Sequence, residues 1–371
     1  MIYFDNAATT KPSQTVLDIY NRTSNECWFN ASSPHKLGTK SNNLYNKAKA
    51  LVTKNLNTTN HNVIFTSGAT EANNIAIYGI CNKYLNQNAR IITSKIEHPS
   101  VLNCFKDLEQ KGFDVIYLDT LNDGTVDLKM LESSLNNNTV LVSIMWVNNI
   151  IGSINNINEI IKLVKPYKKA KLHIDAVQGI GKLPLSFNAN EVDLITLSSH
   201  KIHGIKGAGA LVYKENIILD EFLKGSNQQL SKSGTIDLAG CVACAKSVDE
   251  AFKNINNTVQ YVTKIKNYLI DELNKLDYIT INSSTNSSPY ILNFSYNNLY
   301  SETLMHYFEE HDIYVSISSA CNDKQRKPER TVLETTKSEA LALTSIRLSF
   351  HNENTLEEAK QFIEVLKKYR K

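Results

Sequence analysis

Between about residues 60 and 215, short apolar and β-branched runs alternate with stretches of helical spacing. The runs are NVIFTS (62–67), RIITSK (90–95), DVIYLD (114–119), TVLVSIMWV (139–147), KLHID (171–175), DLITLSS (193–199) and GALVY (209–213). Most are continuous rather than alternating, which suits strands covered on both faces. Stretches such as ATEANNIAIYGICNKYL and HPSVLNCFKDLEQKG lie between them and read as helices. This βαβ rhythm predicts an α/β fold: one large domain with a seven-stranded, mainly parallel sheet flanked by helices. GALVY follows its predecessor after too short a gap for a crossover helix, so it is predicted to run antiparallel.

The pattern changes after about residue 235. Val248, Phe252, Ile255, Val259, Val262, Ile265 and Leu269 recur near helical spacing, predicting one long amphipathic helical region to Leu276. Strand-like pieces follow: YITI, YILNFS, YVSIS and SIRLSF. The last segment, TLEEAKQFIEVLKKY, reads as a helix with Thr355 as N-cap and Glu358 at the capping-box spacing. These pieces predict a smaller α+β C-terminal domain. The expected division is 15–255 for the large domain and 256–371 for the small one, with residues 1–14 packing on the latter.

Composition narrows the class. The chain has 371 residues, 42% hydrophobic and 21% charged, as in ordinary globular proteins and unlike collagen-like, disordered or disulfide-stapled ones. No run approaches the roughly 18 consecutive apolar residues of a membrane span. A formal net charge of +3 gives no broad nucleic-acid footprint. The opening MIYFDNAATTKP has no basic segment followed by an apolar run, so no export signal and a cytoplasmic location are expected. The six cysteines are then expected as thiols.

Ligands of open parallel sheets bind outside the carboxyl ends of the strands. VIFTS is followed there by Gly68, Ala69 and Thr70, a helix start whose amides could cradle an anion, although such a start is more often just a cap. RIITSK leads to His98, with Pro99 opening a helix. The later strands lead to Asn148 and Asn149, to Asp175 and Gln178, and to His200 and Lys201. Each has a bland reading alone. Together, a lysine, a carboxylate, a histidine and a phosphate-type helix start on one sheet edge match the needs of pyridoxal phosphate. The lysine forms a Schiff base, an acid keeps the pyridine nitrogen protonated and donors hold the phosphate.

Two motifs read as decoys. GIKGAG (204–209) lacks the dinucleotide glycine spacing and precedes a strand. Cys241 and Cys244 form a single CxxC in a helical pattern, which favours packing over a metal site, and no metal is expected. Cys27, Cys81 and Cys104 also sit beside apolar-periodic stretches. Cys321 differs. It precedes Lys324, Arg326, Lys327 and Arg330, so a polar, electropositive loop favouring a thiolate is predicted around it.

The chain resembles the cysteine desulfurases, pyridoxal-phosphate enzymes of fold type I in the class V aminotransferase superfamily. The resemblance rests on YFDNAATT (3–10), NASSPHKLG (30–38), FTSGATEANNIAI (65–77), ITSKIEHPSV (92–101), VSIMWVNNIIG (142–152), HIDAVQGIGK (173–182), LSSHKIHGIKGAGAL (197–211), KSGT (232–235), SSAC (318–321) and TSIRLSF (344–350). These segments span nearly the whole chain in the family's order, and SSAC with its basic tail is similar to the branch with an extended cysteine loop. The resemblance implies the following roles. Lys201 would hold the cofactor, Asp175 would pair with the pyridine nitrogen, and Gln178 would contact the ring hydroxyl. His98 would stack on the ring and move protons. Thr70, Ala69, Ser198 and His200 would bind the phosphate, with Thr235 reaching in from the other subunit of a homodimer. Asn149 and Arg347 would grip the substrate, L-cysteine, the arginine as a bidentate carboxylate partner. Cys321 would take the sulfur as a persulfide and leave alanine, then pass the sulfur to an acceptor protein in iron–sulfur cluster assembly or in tRNA or thiamine thiolation. No direct nucleic-acid or membrane contact is implied.

Four positions depart from the family pattern: Ile150 in VNNIIG, KGSNQQ (224–229) in place of a glycine-rich loop, Lys232 for an arginine, and Ser318 for a glycine. Lysine keeps the charge of arginine but not its planar fork. The competing readings are a selenocysteine lyase or aminotransferase on the same fold, and a scaffold that has lost activity through the altered 224–232 loop.

Overall fold

The computed structural model describes residues 1–225, 232–317 and 327–369. In chain order the first elements are β1 (Ile2–Tyr3), α1 (Gln14–Glu26), α2 (Lys36–Asn55), β2 (His61–Thr66) and α3 (Ala69–Cys81). Then come β3 (Arg90–Ser94), α4 (Pro99–Gln110), β4 (Asp114–Leu118), α5 (Leu128–Ser134), β5 (Thr139–Met145), α6 (Ile157–Val164), β6 (Lys171–Asp175), β7 (Leu194–Ser198) and β8 (Gly209–Lys214). The seven strands β2 to β8 form one sheet in the order β2-β8-β7-β6-β5-β3-β4. Its neighbours from β7 to β4 pair in parallel, and β8 is antiparallel to both β7 and β2. The short gap before GALVY therefore signals the antiparallel strand correctly. Every residue of β5 is buried: Val142 and Ile144 enter one hydrophobic core and Leu141 the other. That two-sided burial is why the strand reads as an unbroken apolar run.

The chain continues with α7 (Leu238–Lys253), α8 (Ile255–Leu273), β9 (Ile279–Ile281), β10 (Ile291–Tyr296), α9 (Ser301–Glu310), β11 (Ile313–Tyr314) and β12 (Ser316–Ile317). It closes with α10 (Arg330–Thr336), α11 (Glu339–Leu343), β13 (Ser345–Ser349) and α12 (Leu356–Lys368). The long helical region expected between about 235 and 276 consists of two helices. Asn254, at φ −120° and ψ 17°, leaves helical geometry and ends α7 just before α8 begins. An Asn side chain competes for local backbone bonds, which makes it a weak helix interior residue. The helix also starts later than expected, where Asp237 accepts from the Gly240 amide. Cys241 and Cys244 lie buried in α7 as packing residues, without a second pair.

A four-stranded antiparallel sheet, β12-β13-β10-β9, forms the smaller unit, and α12 opens with the expected Thr355–Glu358 capping box. The N-terminal segment joins this unit. β1 pairs in parallel with β11, and Asp5 bridges to Ser349. Phe4 packs edge-on to Phe350 and Phe362 at centroid distances of 5.2 and 5.9 Å. Such aromatic pairs add about 0.5–1.5 kcal/mol each beyond area burial. Helices α1 and α2 pack on α7 instead. Among the described residues, no helix is long and apolar enough to cross a membrane, and no group of three or more His, Cys, Asp or Glu is placed to hold a metal ion.

Candidate active site

The carboxyl ends of β3, β5, β6 and β7 open into a cavity of about 700 Å³. Its walls bring together Ala69, Thr70, His98, Asn149, Asp175, Gln178, Ser198, His200, Lys201 and Arg347. Nine of these residues lie at or just past strand ends of the large sheet, far apart in sequence, and the tenth is an arginine from β13 of the smaller unit. Two of the sequence-predicted residues are not among them. Thr235 lines an adjoining cavity of about 160 Å³ that shares Ser67 and Gly207 with the larger one. Cys321 lies outside the described residues, as do Ser318, Lys324, Arg326 and most of the KGSNQQ loop.

Lys201 ends the short 3-10 turn that follows β7. Its Nζ donates to the carbonyls of Ala7 and Ala8 at 2.7 and 2.6 Å. Burial, reinforced by the Arg347 charge and opposed by Asp5 and Asp175, pulls this amine from 10.5 down to about 8. Among the described residues its direct partners are two neutral acceptors and not a carboxylate, which suits a nucleophile.

Asp175 ends β6. Its Oδ2 accepts from Asn73 Nδ2 at 2.9 Å and its Oδ1 from the Val177 amide at 3.1 Å. The second hydrogen of the Asn73 amide goes to Ser100 Oγ at 2.9 Å. Ser100 Oγ in turn lies 2.8 Å from Nδ1 of His98. His98 is also the N-cap of α4, where Nδ1 accepts from the Ser100 amide at 3.1 Å and Pro99 takes the first helical position. With Nδ1 accepting, the neutral ring carries its proton on Nε2. Burial holds the imidazole below its usual range; Asp175 opposes that, and Lys201 and Arg330 add to it.

The phosphate-type helix start is borne by α3. Gly68, at φ 152°, is its N-cap and provides no side-chain cap. The amides of Ala69, Thr70 and Glu71 precede the helix's first bond, from the Ala72 amide to the Gly68 carbonyl at 3.2 Å. They therefore have no partner within the helix and favour an anion. Gly209 must also be glycine, because a Cβ there would lie 2.8 Å from the Gly68 Cα. Beside this cradle, the buried Oγ of Ser198 has no hydrogen-bond partner among the described residues. His200 is pushed down to about 4 by burial and then by Lys201 and other lysines, so it is a neutral donor or acceptor, with Nδ1 3.2 Å from Thr9 Oγ1. Lys232, where the family pattern has arginine, ties the neighbouring loop to the cradle through Glu71 at 3.0 Å, and Glu71 also accepts from the Ser67 amide at 2.6 Å.

Arg347 is 7% exposed. One terminal nitrogen donates to Asp5 at 2.7 Å and the other to the Asn149 carbonyl at 2.9 Å, while its Nε has no partner among the described residues. A buried, partly unsatisfied guanidinium is a ready carboxylate receptor.

Several supporting groups lie inside the segments that carry the family resemblance, without a role having been read for them. Asn73, Ser100, Asp5, Ala7 and Ala8 all touch predicted site residues. Glu97, next to His98, is fully buried. It accepts from Ser94 Oγ at 2.6 Å and the Met145 amide at 3.1 Å, and burial pushes its carboxyl up to about 8. Arg330 donates to the Glu97 carbonyl. The one local signal is Asn73, one helical turn beyond Ala69 on α3.

The family model for class-V aminotransferases matches residues 2–362. The chain belongs to this family. Its members use pyridoxal 5'-phosphate. It is 37% identical over 367 residues to the NifS/IcsS protein homolog of Lactobacillus delbrueckii subsp. bulgaricus, covering 98% of this chain and 95% of that one. It is 34% identical over 374 residues to cysteine desulfurase IscS of Buchnera aphidicola, covering 99% and 92%. A solved NifS-like protein superposes with a TM-score of 0.91 at 31% identity, covering 98% of this chain and 97% of that one. The cavity fits the cofactor on its own terms: free amides and the unpartnered Ser198 Oγ for a phosphate, Asp175 for a pyridine nitrogen and Lys201 for the aldehyde.

Proposed function

We propose that this protein is a pyridoxal-phosphate-dependent cysteine desulfurase. It converts L-cysteine to L-alanine, takes the sulfur as a persulfide on Cys321 and passes it to an acceptor protein. The observation that carries this reading is the buried amine of Lys201, held at about 8 in a cavity shared with Asp175, His98 and Arg347.

Bound there, the cofactor supplies an electron sink that makes the substrate Cα proton acidic. The chain supplies the rest. Lys201 and Asp175 hold the cofactor at its aldehyde and ring-nitrogen ends, and Thr70, Ser198, His200 and the α3 amides hold its phosphate. Arg347, fixed by Asp5 and the Asn149 carbonyl, binds the substrate carboxylate. His98, capped on Nδ1 and proton-bearing on Nε2, and the neutral Lys201 amine are the groups that can exchange protons near the reacting carbon. The Cys321 thiolate attacks the substrate sulfur. A sulfur–sulfur bond forms, the substrate's carbon–sulfur bond breaks, its electron pair stays with the carbon fragment, and a proton replaces the sulfur.

We read Thr235 as serving the cavity of a second copy, since it does not line that of its own chain. The acceptor is read as a protein that takes persulfide sulfur by thiol exchange.

The test is to incubate the loaded enzyme with L-cysteine and a reductant and measure alanine and sulfide. Expected is equimolar product from the wild type and none from Cys321→Ala, with the yellow cofactor band intact in both. Undiminished turnover in Cys321→Ala would sink the persulfide route and favour a lyase or aminotransferase. A protein with no cofactor band would favour the scaffold reading.

A further inference from the structure

Lys182 closes the HIDAVQGIGK segment that carries Asp175 and Gln178. It is 2% exposed, and among the described residues its amine has one hydrogen-bond partner, Gln178 Oε1 at 2.6 Å. The charged groups that act on it are two cations, Lys201 and Arg347. Burial and these cations bring its amine down to about 7. A lysine in that setting is costly to keep, and the one hydrogen bond of its amine among the described residues is with a residue of the cavity wall.

The contact has a consequence for hydrogen-bond direction. An ammonium or amine N–H faces Gln178, so the Gln178 atom that meets it must be the carbonyl oxygen. At the other end, Gln178 Nε2 donates to the Ala7 carbonyl at 3.0 Å, and a carbonyl only accepts. Both neighbours therefore impose the same orientation on the carboxamide. One amide hydrogen goes to Ala7, and the second remains for a ligand in the cavity. The same Ala7 carbonyl receives Lys201 Nζ, so the arrangement is joined to the amine that takes the cofactor.

We propose that Lys182 is a positioning residue for the cofactor: acting through Gln178, it makes the cavity offer an N–H donor, and not a carbonyl oxygen, to the ring oxygen of pyridoxal phosphate. A flipped carboxamide would set oxygen against an anionic oxygen. The inference rests on the reading of this cavity as the cofactor site and is independent of which amino acid the enzyme consumes.

The experiment compares wild type, Lys182→Met, Gln178→Leu and the double variant. It measures the pyridoxal-phosphate dissociation constant and the pH midpoint of the visible band. Loss of one hydrogen bond to a charged oxygen weakens binding about tenfold. The same loss raises the midpoint by about one pH unit, because the donor favours the deprotonated form. Expected is that either single variant shows both effects and that the double variant is no worse than Gln178→Leu, as groups acting in series require. Additive losses, or a wild-type midpoint in Lys182→Met, overturn the proposal. Should Lys182→Met not fold, Gln178→Glu asks the same question, since it leaves only acceptors at this wall. It is expected to weaken binding and raise the midpoint, and wild-type values in it overturn the proposal. A wild type that binds no pyridoxal phosphate overturns the site reading itself, and is told apart from tight binding that the variants leave unchanged.

Discussion

The lowered basicity of Lys201 makes cofactor capture a sharp function of pH. The perturbation is a shift from 10.5 to about 8, caused first by burial and then by Arg347. At pH 7.5 an ordinary lysine would be about 0.1% neutral, whereas an amine of pKa near 8 is about 25% neutral, roughly a 200-fold gain in reactive nucleophile. Mixing cofactor-free protein with pyridoxal phosphate between pH 6 and 10 and following the absorbance of covalently bound cofactor reads this directly. A parallel series with a simple alkylamine, its rates divided by its own neutral fraction, corrects for the titration of pyridoxal phosphate itself. The corrected rate should rise about tenfold per pH unit and level near pH 8. Arg347→Met should move the midpoint up, because a cation that disfavours the ammonium is gone. Asp5→Asn should move it down, because a carboxylate that favours the ammonium is gone. A rate that climbs without levelling to pH 10 would refute the reasoning, and so would midpoints unmoved by either substitution.

Further expectations follow from the groups around this amine. Glu97 is raised by burial from 4.5 to about 8, so between those values the folded chain keeps a proton that the unfolded chain has lost. Its contribution to stability is therefore full at low pH and declines as pH rises through that window, by up to about 1.4 kcal/mol per unit. Glu97→Gln should flatten this slope in melting curves taken from pH 5 to 8, and parallel curves for the two proteins would count against it. Arg347→Lys keeps the charge but loses the fork, so KM for L-cysteine should rise about tenfold while the loading midpoint of Lys201 stays near that of the wild type. Asn73→Ala removes the donor shared by Asp175 and Ser100 and should weaken pyridoxal-phosphate binding about fivefold, as read by equilibrium titration.

The large sheet was legible because its signals are local. Each strand is a short apolar run, Pro99 and Thr355 mark helix starts, and a short gap reveals the antiparallel β8. The site residues were legible for a related reason: a parallel sheet brings its strand ends together, so Asp175, Ser198 and Lys201 could be placed on one edge from the strand pattern alone. The break at Asn254 was not legible, since Asn occurs throughout this chain and hydrophobic spacing continues across the break. Nor were the supporting contacts. Asn73 to Asp175, Gln178 to Ala7 and Arg347 to Asp5 join residues 102, 171 and 342 positions apart. No period or motif spacing encodes such pairs.

Four supporting contacts converge on the N-terminal segment. Asp5 holds Arg347, the Ala7 carbonyl takes both Gln178 and Lys201, and the Ala8 carbonyl takes Lys201 again. The segment is itself held by the smaller unit: β1 pairs with β11, Asp5 bridges to Ser349, and Ser349 Oγ accepts from the Ala7 amide at 2.8 Å. Backbone carbonyls that hold the amine of a lysine on the large sheet are thus positioned by strands of the small one. An enzyme built this way couples the substrate arginine on β13 and the cofactor lysine after β7 through one short stretch of main chain. Disturbing the packing of Phe4 against Phe350 and Phe362 should therefore reach Lys201 without touching any group in the cavity.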